Sequence, residues 1–212
     1  MGRGSAFIMN PNYTLYLVTE ESMPVEQLLH TLEEAIKGGV TIVQLREKYA
    51  TGKSFFKKAK RVKALLKYYD VPLIINDRVD VALAVEADGV HVGQSDLPVE
   101  AVRKIVPPSM IVGISVSSIE EAKIAEKNGA DYLGVGAICP TDSKKDAKSL
   151  PAGMLELITA AVSIPAVAIG GIKLEHLPKL RGKNIAGVAI VSGIMKASDP
   201  YSAAMAYRKE ID

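Results

Sequence analysis

The chain has 212 residues, of which 48% are hydrophobic and 24% are charged, and its formal net charge is +2. A chain of this size and composition can form one domain with a large core. The near balance of acidic and basic residues gives no reason to expect a nucleic acid or an acidic membrane surface as a partner. The single cysteine, Cys139, excludes an internal disulfide. We interpret it as a small apolar residue rather than a reactive thiol.

Residues 1–10 are predicted to be a flexible lead-in to one domain that spans residues 11–212. The first five residues read Met-Gly-Arg-Gly-Ser and lack the apolar segment of a secretory signal. No apolar run approaches the roughly 18 residues of a membrane helix. We therefore expect a cytoplasmic protein.

Eight short apolar runs, rich in valine and isoleucine, recur along the chain. They do not alternate polar with apolar residues, which is typical of parallel strands that are covered on both faces. In chain order, the predicted strands are residues 15–18, 40–45, 71–75, 89–92, 110–115, 132–136, 166–169 and 187–191.

Helical patterns lie between these strands. One begins after Pro24 and ends at Gly38, and a second is an apolar stripe over residues 55–66. Further starts are marked by Pro98, by Pro200, and by the capping-box pattern of Ser118 with Glu121. A βα unit of about 25 residues, repeated eight times, accounts for the whole chain. The predicted fold class is therefore α/β, a single-domain (β/α)₈ TIM barrel.

Polar residues cluster after the predicted strands rather than before them, and barrel active sites lie at that end. Gln44, Arg46 and Lys48 follow the second strand at alternate positions. Each could be a solvated loop residue. Together, on an extended segment, they are expected to converge on a ligand with several acceptor oxygens.

Two carboxylates follow neighbouring strands. Asp77, with Asn76, follows the third strand, and Asp96 follows the fourth. Each aspartate alone could cap the next helix. Together they can face one Mg²⁺ ion, which usually takes one or two carboxylates and completes its shell with water and phosphate oxygens. With the nearby cations, which include Lys144, the pattern favours a magnesium–diphosphate site.

The last two strands lead into Gly170-Gly171 and Ser192-Gly193. A tight turn is the ordinary meaning of one such pair. Two of them after the last strands of a barrel favour a second anionic pocket, built from backbone amides.

The sequence offers no strong candidate for a general base. The spacing of His30, His91 and His176 does not predict a metal cluster, and no Ser–His–Asp or Cys–His arrangement is evident. The reaction is therefore expected to need no protein base.

Five motifs, in this order, resemble those of thiamine phosphate synthase. They lie at residues 44–48, 76–78, 89–98, 140–146 and 169–172, and the similarity runs from about Tyr16 to Pro200. The resemblance implies a (β/α)₈ transferase that uses one Mg²⁺ per subunit. Its two substrates would be phosphorylated small molecules: 4-amino-2-methyl-5-(diphosphooxymethyl)pyrimidine and a thiazole phosphate, carboxylated or decarboxylated. The products would be thiamine phosphate and diphosphate.

The resemblance also implies roles for single residues. The pyrimidine diphosphate would be held by Gln44, Leu45, Arg46, Glu47, Lys48, Asn76, Ser115 and Lys144. Leaving-group stabilisation would come from Arg46, Lys48 and Lys144, and metal binding from Asp77 and Asp96. The thiazole phosphate would contact Thr141, Asp142, Ser143, Gly171, Val191 and Ser192. Ser143 stands where the family usually has a threonine, and it keeps the hydroxyl.

Two alternatives stay open at this point: a thiazole tautomerase of the same fold, and a non-catalytic sensor of a thiamine-pathway ligand.

The polar segment over residues 141–148 is also a candidate lid. The oligomeric state cannot be inferred from the sequence.

Overall fold

The structure, a computed structural model, describes residues 11–21, 23–140 and 149–211. Eight parallel strands pair in sequence order and close into a barrel, with β1 next to β8. Each lies within two residues of its predicted position, so the barrel prediction is confirmed. The strands are β1 Leu15–Val18, β2 Ile42–Leu45, β3 Leu73–Asn76, β4 Gly89–Val92, β5 Ile111–Val116, β6 Tyr132–Val135, β7 Ala166–Ile169 and β8 Gly187–Ile190.

Helices alternate with the strands along the chain. They are α1 Val25–Lys37, α2 Gly52–Tyr68, α3 Val79–Ala84, α4 Val99–Ile105, α5 Ile119–Lys127, α6 Met154–Ala161, α7 Ser192–Met195 and α8 Pro200–Ile211. The connection after β7 is a 3₁₀ helix, Leu174–Leu180, rather than the expected α-helix. Pro178 lies inside it, and a proline cannot donate the backbone hydrogen bond that an α-helix needs there.

The predicted helix starts are confirmed. Pro24 and Pro98 stand at the N-caps of α1 and α4. Ser118 caps α5 by accepting a hydrogen bond from the Glu121 N–H at 3.2 Å. The Glu121 carboxylate reaches one residue further back than in a capping box, to the N–H of Ser117 at 2.6 Å. In the described ranges, no helix is both long and apolar enough to cross a membrane.

The strands separate two hydrophobic clusters because successive side chains point to opposite faces. Outward-facing residues such as Val43 and Leu45 pack under the helices in the larger cluster. Inward-facing residues fill the barrel and are Tyr13, Tyr16, Val18, Ile42, Ile74, Ile111, Tyr132, Val167 and Ala189. Towards the carboxyl ends of the strands, the same inward register continues with polar residues. We call this end the mouth.

Candidate active site

Asp77 and Asp96 lie side by side at the mouth. The Asp77 N–H donates to the carbonyl of His91 at 2.8 Å, which extends the pairing of β3 with β4 by one residue. Asp96 accepts a hydrogen bond from the Gly93 N–H at 2.7 Å and so closes the turn after β4. Arg78 and Pro98, rather than the two aspartates, occupy the N-cap positions of α3 and α4.

The electrostatics of this pair are unfavourable in the metal-free protein. Burial, followed by the negative charge of Asp96 and a hydrogen bond shared with it, raises the pKa of Asp77 to about 6. Lys48 and the Asn76 side chain oppose this rise. Four predicted site residues are therefore close enough to influence one another. Two like charges held together in this way form a site that a cation would stabilise.

The segment after β2 is held by residues of the β1–α1 loop. Arg46 Nη1 lies 3.1 Å from Glu21 Oε1, and the backbone N–H of Lys48 donates to Glu21 Oε2 at 3.2 Å. The Arg46 N–H donates to Thr19 Oγ1 at 3.0 Å. Thr19 is buried. Glu21 therefore orients the Arg46 guanidinium and the backbone at Lys48, and the Lys48 side chain stays exposed at the mouth.

Leu45 and Glu47 point away from the mouth. The Leu45 side chain is fully buried in the outer cluster. Glu47 is also buried and forms an ion pair with Lys58 of α2. These two predicted site residues can reach a ligand only through their backbone atoms.

Gln44 and Ser115 face the barrel interior at its polar end. Gln44 is buried and donates from Nε2 to the Tyr16 hydroxyl at 2.9 Å. Ser115 is half-buried, and its Oγ lies 2.9 Å from His91 Nε2. Both residues therefore lie at the polar end of the barrel interior.

The loops after β6 and β7 run side by side. The N–H groups of Ile138 and Cys139 donate to the carbonyls of Ile169 and Gly170, each at 2.9 Å. Both glycines after β7 have positive φ, +99° at Gly170 and +64° at Gly171. A Cβ on Gly171 would lie 2.3 Å from the Pro140 carbonyl oxygen. Glycine is therefore required here both by the backbone conformation and by the close approach of the neighbouring loop.

The loop after β8 carries Val191 and Ser192, which begin the short helix α7. Val191 is partly buried against the barrel interior, and Ser192 is exposed. Gly193 has a structural role that the sequence did not indicate. A Cβ at this position would lie 2.2 Å from the hydroxyl oxygen of Tyr207 on α8.

Several predicted residues lie outside the described ranges, namely Thr141, Asp142, Ser143 and Lys144, together with the rest of the candidate lid over residues 141–148. The lead-in over residues 1–10 lies outside them as well. Cys139, just before the candidate lid, is half-buried, and its Sγ lies 3.4 Å from His176 Nδ1.

Sequence reasoning missed the residues that hold the predicted site residues in place through hydrogen bonds and ion pairs. Glu21 and Thr19 follow β1, and their contacts with the β2 segment join residues about 26 positions apart. Tyr16 and Tyr132 look like ordinary core aromatics in the sequence. Thr19 and Glu21 could have been found in the sequence, because they are polar and follow a predicted strand as the other site residues do.

Comparison with known proteins agrees with this architecture. Residues 15–194 match the family described as thiamine monophosphate synthase. The chain is 48% identical over 201 residues to a thiamine-phosphate synthase of Methanobrevibacter smithii, covering 95% of this chain and 96% of that one. It is 52% identical over 191 residues to the Clostridium tetani protein of the same name, covering 90% and 91%. The solved thiamine phosphate pyrophosphorylase of Pyrococcus furiosus superposes with a TM-score of 0.86 at 39% identity, covering 95% and 96%. The chain belongs to the thiamine monophosphate synthase family.

Proposed function

We propose that this transferase joins 4-amino-2-methyl-5-(diphosphooxymethyl)pyrimidine to a thiazole phosphate and releases thiamine phosphate and diphosphate. The bond from the pyrimidine methylene to the diphosphate oxygen breaks, and its electron pair leaves with diphosphate. The thiazole nitrogen supplies the electron pair of the new C–N bond. The observation that carries the proposal is the Asp77–Asp96 pair beside Lys48 and Asn76, in a barrel of this family.

The residues present fit a magnesium ion. The two adjacent carboxylates are hard oxygen ligands, and their repulsion favours a bound cation. In the described part of the chain, no group of three or more histidine, cysteine or acidic residues could hold a metal. A site with two protein carboxylates suits Mg²⁺, which fills its remaining positions with water and substrate oxygens. When bound, the ion would neutralise charge on the diphosphate.

Cationic side chains at the mouth would stabilise the departing diphosphate. Arg46 is paired with Glu21 beside this edge of the barrel, the Lys48 charge acts on Asp77, and Lys144 belongs to the same proposed set. The Arg46 guanidinium is held by Glu21, so its position is fixed before the substrate arrives. Preorganised charge of this kind lowers a barrier because it needs no rearrangement during the reaction.

The thiazole phosphate would occupy the other side of the mouth. Gly171 and Ser192 offer backbone N–H groups there, with Val191 beside them and Thr141, Asp142 and Ser143 completing the set. The thiazole nitrogen carries no proton that must be removed, so the protein needs no general base. Its remaining task is to hold two anionic partners in line and to keep water from the electron-poor methylene.

The direct test incubates the protein with both substrates and Mg²⁺ and measures thiamine phosphate and diphosphate. Both should appear in equal amounts, and only when the thiazole phosphate is present. The carboxylated and decarboxylated thiazole forms are tested separately. Diphosphate release that is independent of the thiazole phosphate would contradict the proposal.

A pair of variants tests the metal site within the same assay. Asp77→Asn should lower turnover at least about a hundredfold, since the loss of a second-shell partner alone costs roughly 10- to 100-fold at metal sites. Asp80→Asn is the matched control, because Asp80 is exposed and paired with Arg78. Full activity of Asp77→Asn would remove the metal assignment. Isomerisation of the thiazole without the pyrimidine would favour the tautomerase.

A further inference from the structure

A continuous line of hydrogen bonds crosses the barrel interior from β2 to β5. Gln44 Nε2 lies 2.9 Å from the Tyr16 hydroxyl, which lies 2.7 Å from the Tyr132 hydroxyl. That hydroxyl lies 2.9 Å from His91 Nδ1, and His91 Nε2 lies 2.9 Å from Ser115 Oγ. We call these five residues the interior relay. Its two ends, Gln44 and Ser115, belong to the proposed pyrimidine site.

An amide nitrogen can only donate, so Tyr16 accepts from Gln44. In the next bond either tyrosine hydroxyl can donate, so the remaining hydrogens can run in two directions. In one of them Tyr16 donates to Tyr132, Tyr132 donates to His91 Nδ1, and His91 donates from Nε2 to Ser115. Burial raises the pKa of both tyrosines, so each hydroxyl keeps its proton.

The fold makes room for this arrangement with glycines. A Cβ on Gly113 of β5 would lie 2.2 Å from the Tyr132 ring. A Cβ on Gly134 of β6 would lie 3.1 Å from His91 Cε1. Both glycines face the interior, where a larger side chain would displace a member of the interior relay. Glycine weakens a strand, so its presence at both positions indicates that the strands are adapted to hold the relay.

We propose that the hydrogens run from Gln44 to Ser115, and that Tyr16, Tyr132 and His91 are positioning residues that set the hydrogen-bond polarity of the pyrimidine site. Ser115 accepts from His91, so its own hydrogen is available to donate at the mouth. Gln44 uses an N–H on Tyr16, so its Oε1 is available to accept. An aminopyrimidine offers amino hydrogens and bare ring nitrogens, which complement an acceptor and a donor. This inference rests on the proposed function for the identity of the ligand.

The histidine tautomer gives a test that needs no substrate. The chain has three histidines, so ¹⁵N-histidine spectra can be assigned with His30→Gln and His176→Gln variants. The wild-type protein should show His91 with its hydrogen on Nε2. Tyr132→Phe should convert this signal to a mixture of tautomers. Tyr13→Phe is the matched control: Tyr13 stacks on Tyr132, with centroids 4.8 Å apart, but lies outside the relay. A wild-type His91 with its hydrogen on Nδ1 would overturn the proposal.

Kinetics supply the second readout. Tyr132→Phe should raise the KM of the pyrimidine substrate about tenfold, the scale of one lost hydrogen bond, and change the thiazole phosphate KM less than twofold. Tyr16→Phe removes the hydrogen bonds to both Gln44 and Tyr132, so it should raise the same KM and also convert the His91 signal to a mixture of tautomers. Equal changes in both KM values would indicate general disruption and refute a positioning role. If the wild-type protein forms no thiamine phosphate, the proposed function fails, and the tautomer measurement still decides whether the relay has this direction.

Discussion

The carboxylate pair at the mouth should make the metal-free protein less stable than it would be without the Asp77 charge. The rise in the Asp77 pKa from 3.8 to about 6 would amount to about 3 kcal/mol at full burial. Because Asp77 is only half-buried, solvent screening reduces this to roughly 1 kcal/mol. Asp77→Asn removes the charge and keeps the shape. Asparagine also tolerates the positive φ of 63° at this position.

The expected result is a higher melting temperature for Asp77→Asn in the presence of a chelator at pH 7.5. For a chain of this size, 1 kcal/mol corresponds to about 2–4 °C. The sign follows from linkage: a carboxyl whose pKa is raised by folding destabilises the protein above that pKa. The penalty shrinks as pH falls from about 6 towards 3.8. The gain from the variant should therefore fall to about half at pH 5.

Calorimetry or circular dichroism at the two pH values measures this gain, and Asp80→Asn is the control. Arg78 lowers the Asp80 pKa, so that variant should melt at the wild-type temperature or slightly below it. Millimolar Mg²⁺ should raise the melting temperature of the wild-type protein and leave that of Asp77→Asn unchanged. A variant that is no more stable than wild type at pH 7.5, or a gain that is the same at both pH values, would refute the reasoning.

Three further substitutions test the supports of the mouth. Gly193→Ala should lower the free energy of unfolding by about 1–3 kcal/mol in urea melts, because its methyl group would overlap the Tyr207 hydroxyl. The double variant with Tyr207→Ala should lose less free energy of unfolding than the sum of the two single variants. Lys58→Met should lower the free energy of unfolding by about 3–5 kcal/mol, since it leaves the buried Glu47 charge unpaired. Adding Glu47→Leu should restore most of this lost stability. Gly170→Ala should lower the free energy of unfolding by about 1–3 kcal/mol and also lower turnover, because a φ of +99° strains any residue other than glycine. A Gly170→Ala variant as stable as the wild-type protein would contradict this prediction.

The fold could be predicted because each βα unit carries its own local signals. Continuous apolar strands, a proline or serine at the helix starts, and eight repeats are properties of short windows of sequence. The exception is the connection after β7, where Pro178 turns an expected α-helix into a 3₁₀ helix. The α-helix was expected there from the repeat of βα units, and the proline that overrides it was visible in the sequence.

Position along a strand predicts the direction of some of the site side chains. Asn76 and Ser115 follow that rule and lie at the mouth, and Asp77 lies there too although it is one residue beyond β3. After β2, where the chain leaves the strand at Arg46, the rule gives a direction but no partner. Alternation predicts that Glu47 points outward, but only the structure shows that it forms an ion pair with Lys58. The interior relay was invisible because its members come from five strands and are joined by contacts between residues up to 116 positions apart.

The distribution of charge at the mouth supports the proposal that the carboxylate pair is the functional centre. Most acidic side chains near it have a cation of their own: Glu21 pairs with Arg46, Glu20 with Lys196, and Glu47 with Lys58. Within residues 11–21, 23–140 and 149–211, neither Asp77 nor Asp96 forms an ion pair. Lys48 lowers the Asp77 pKa but does not offset burial and repulsion. The fold therefore keeps two negative charges together without neutralising them, at a cost in stability. Such a cost is expected where a bound cation and an anionic substrate complete the balance, and Asp77→Asn measures it directly.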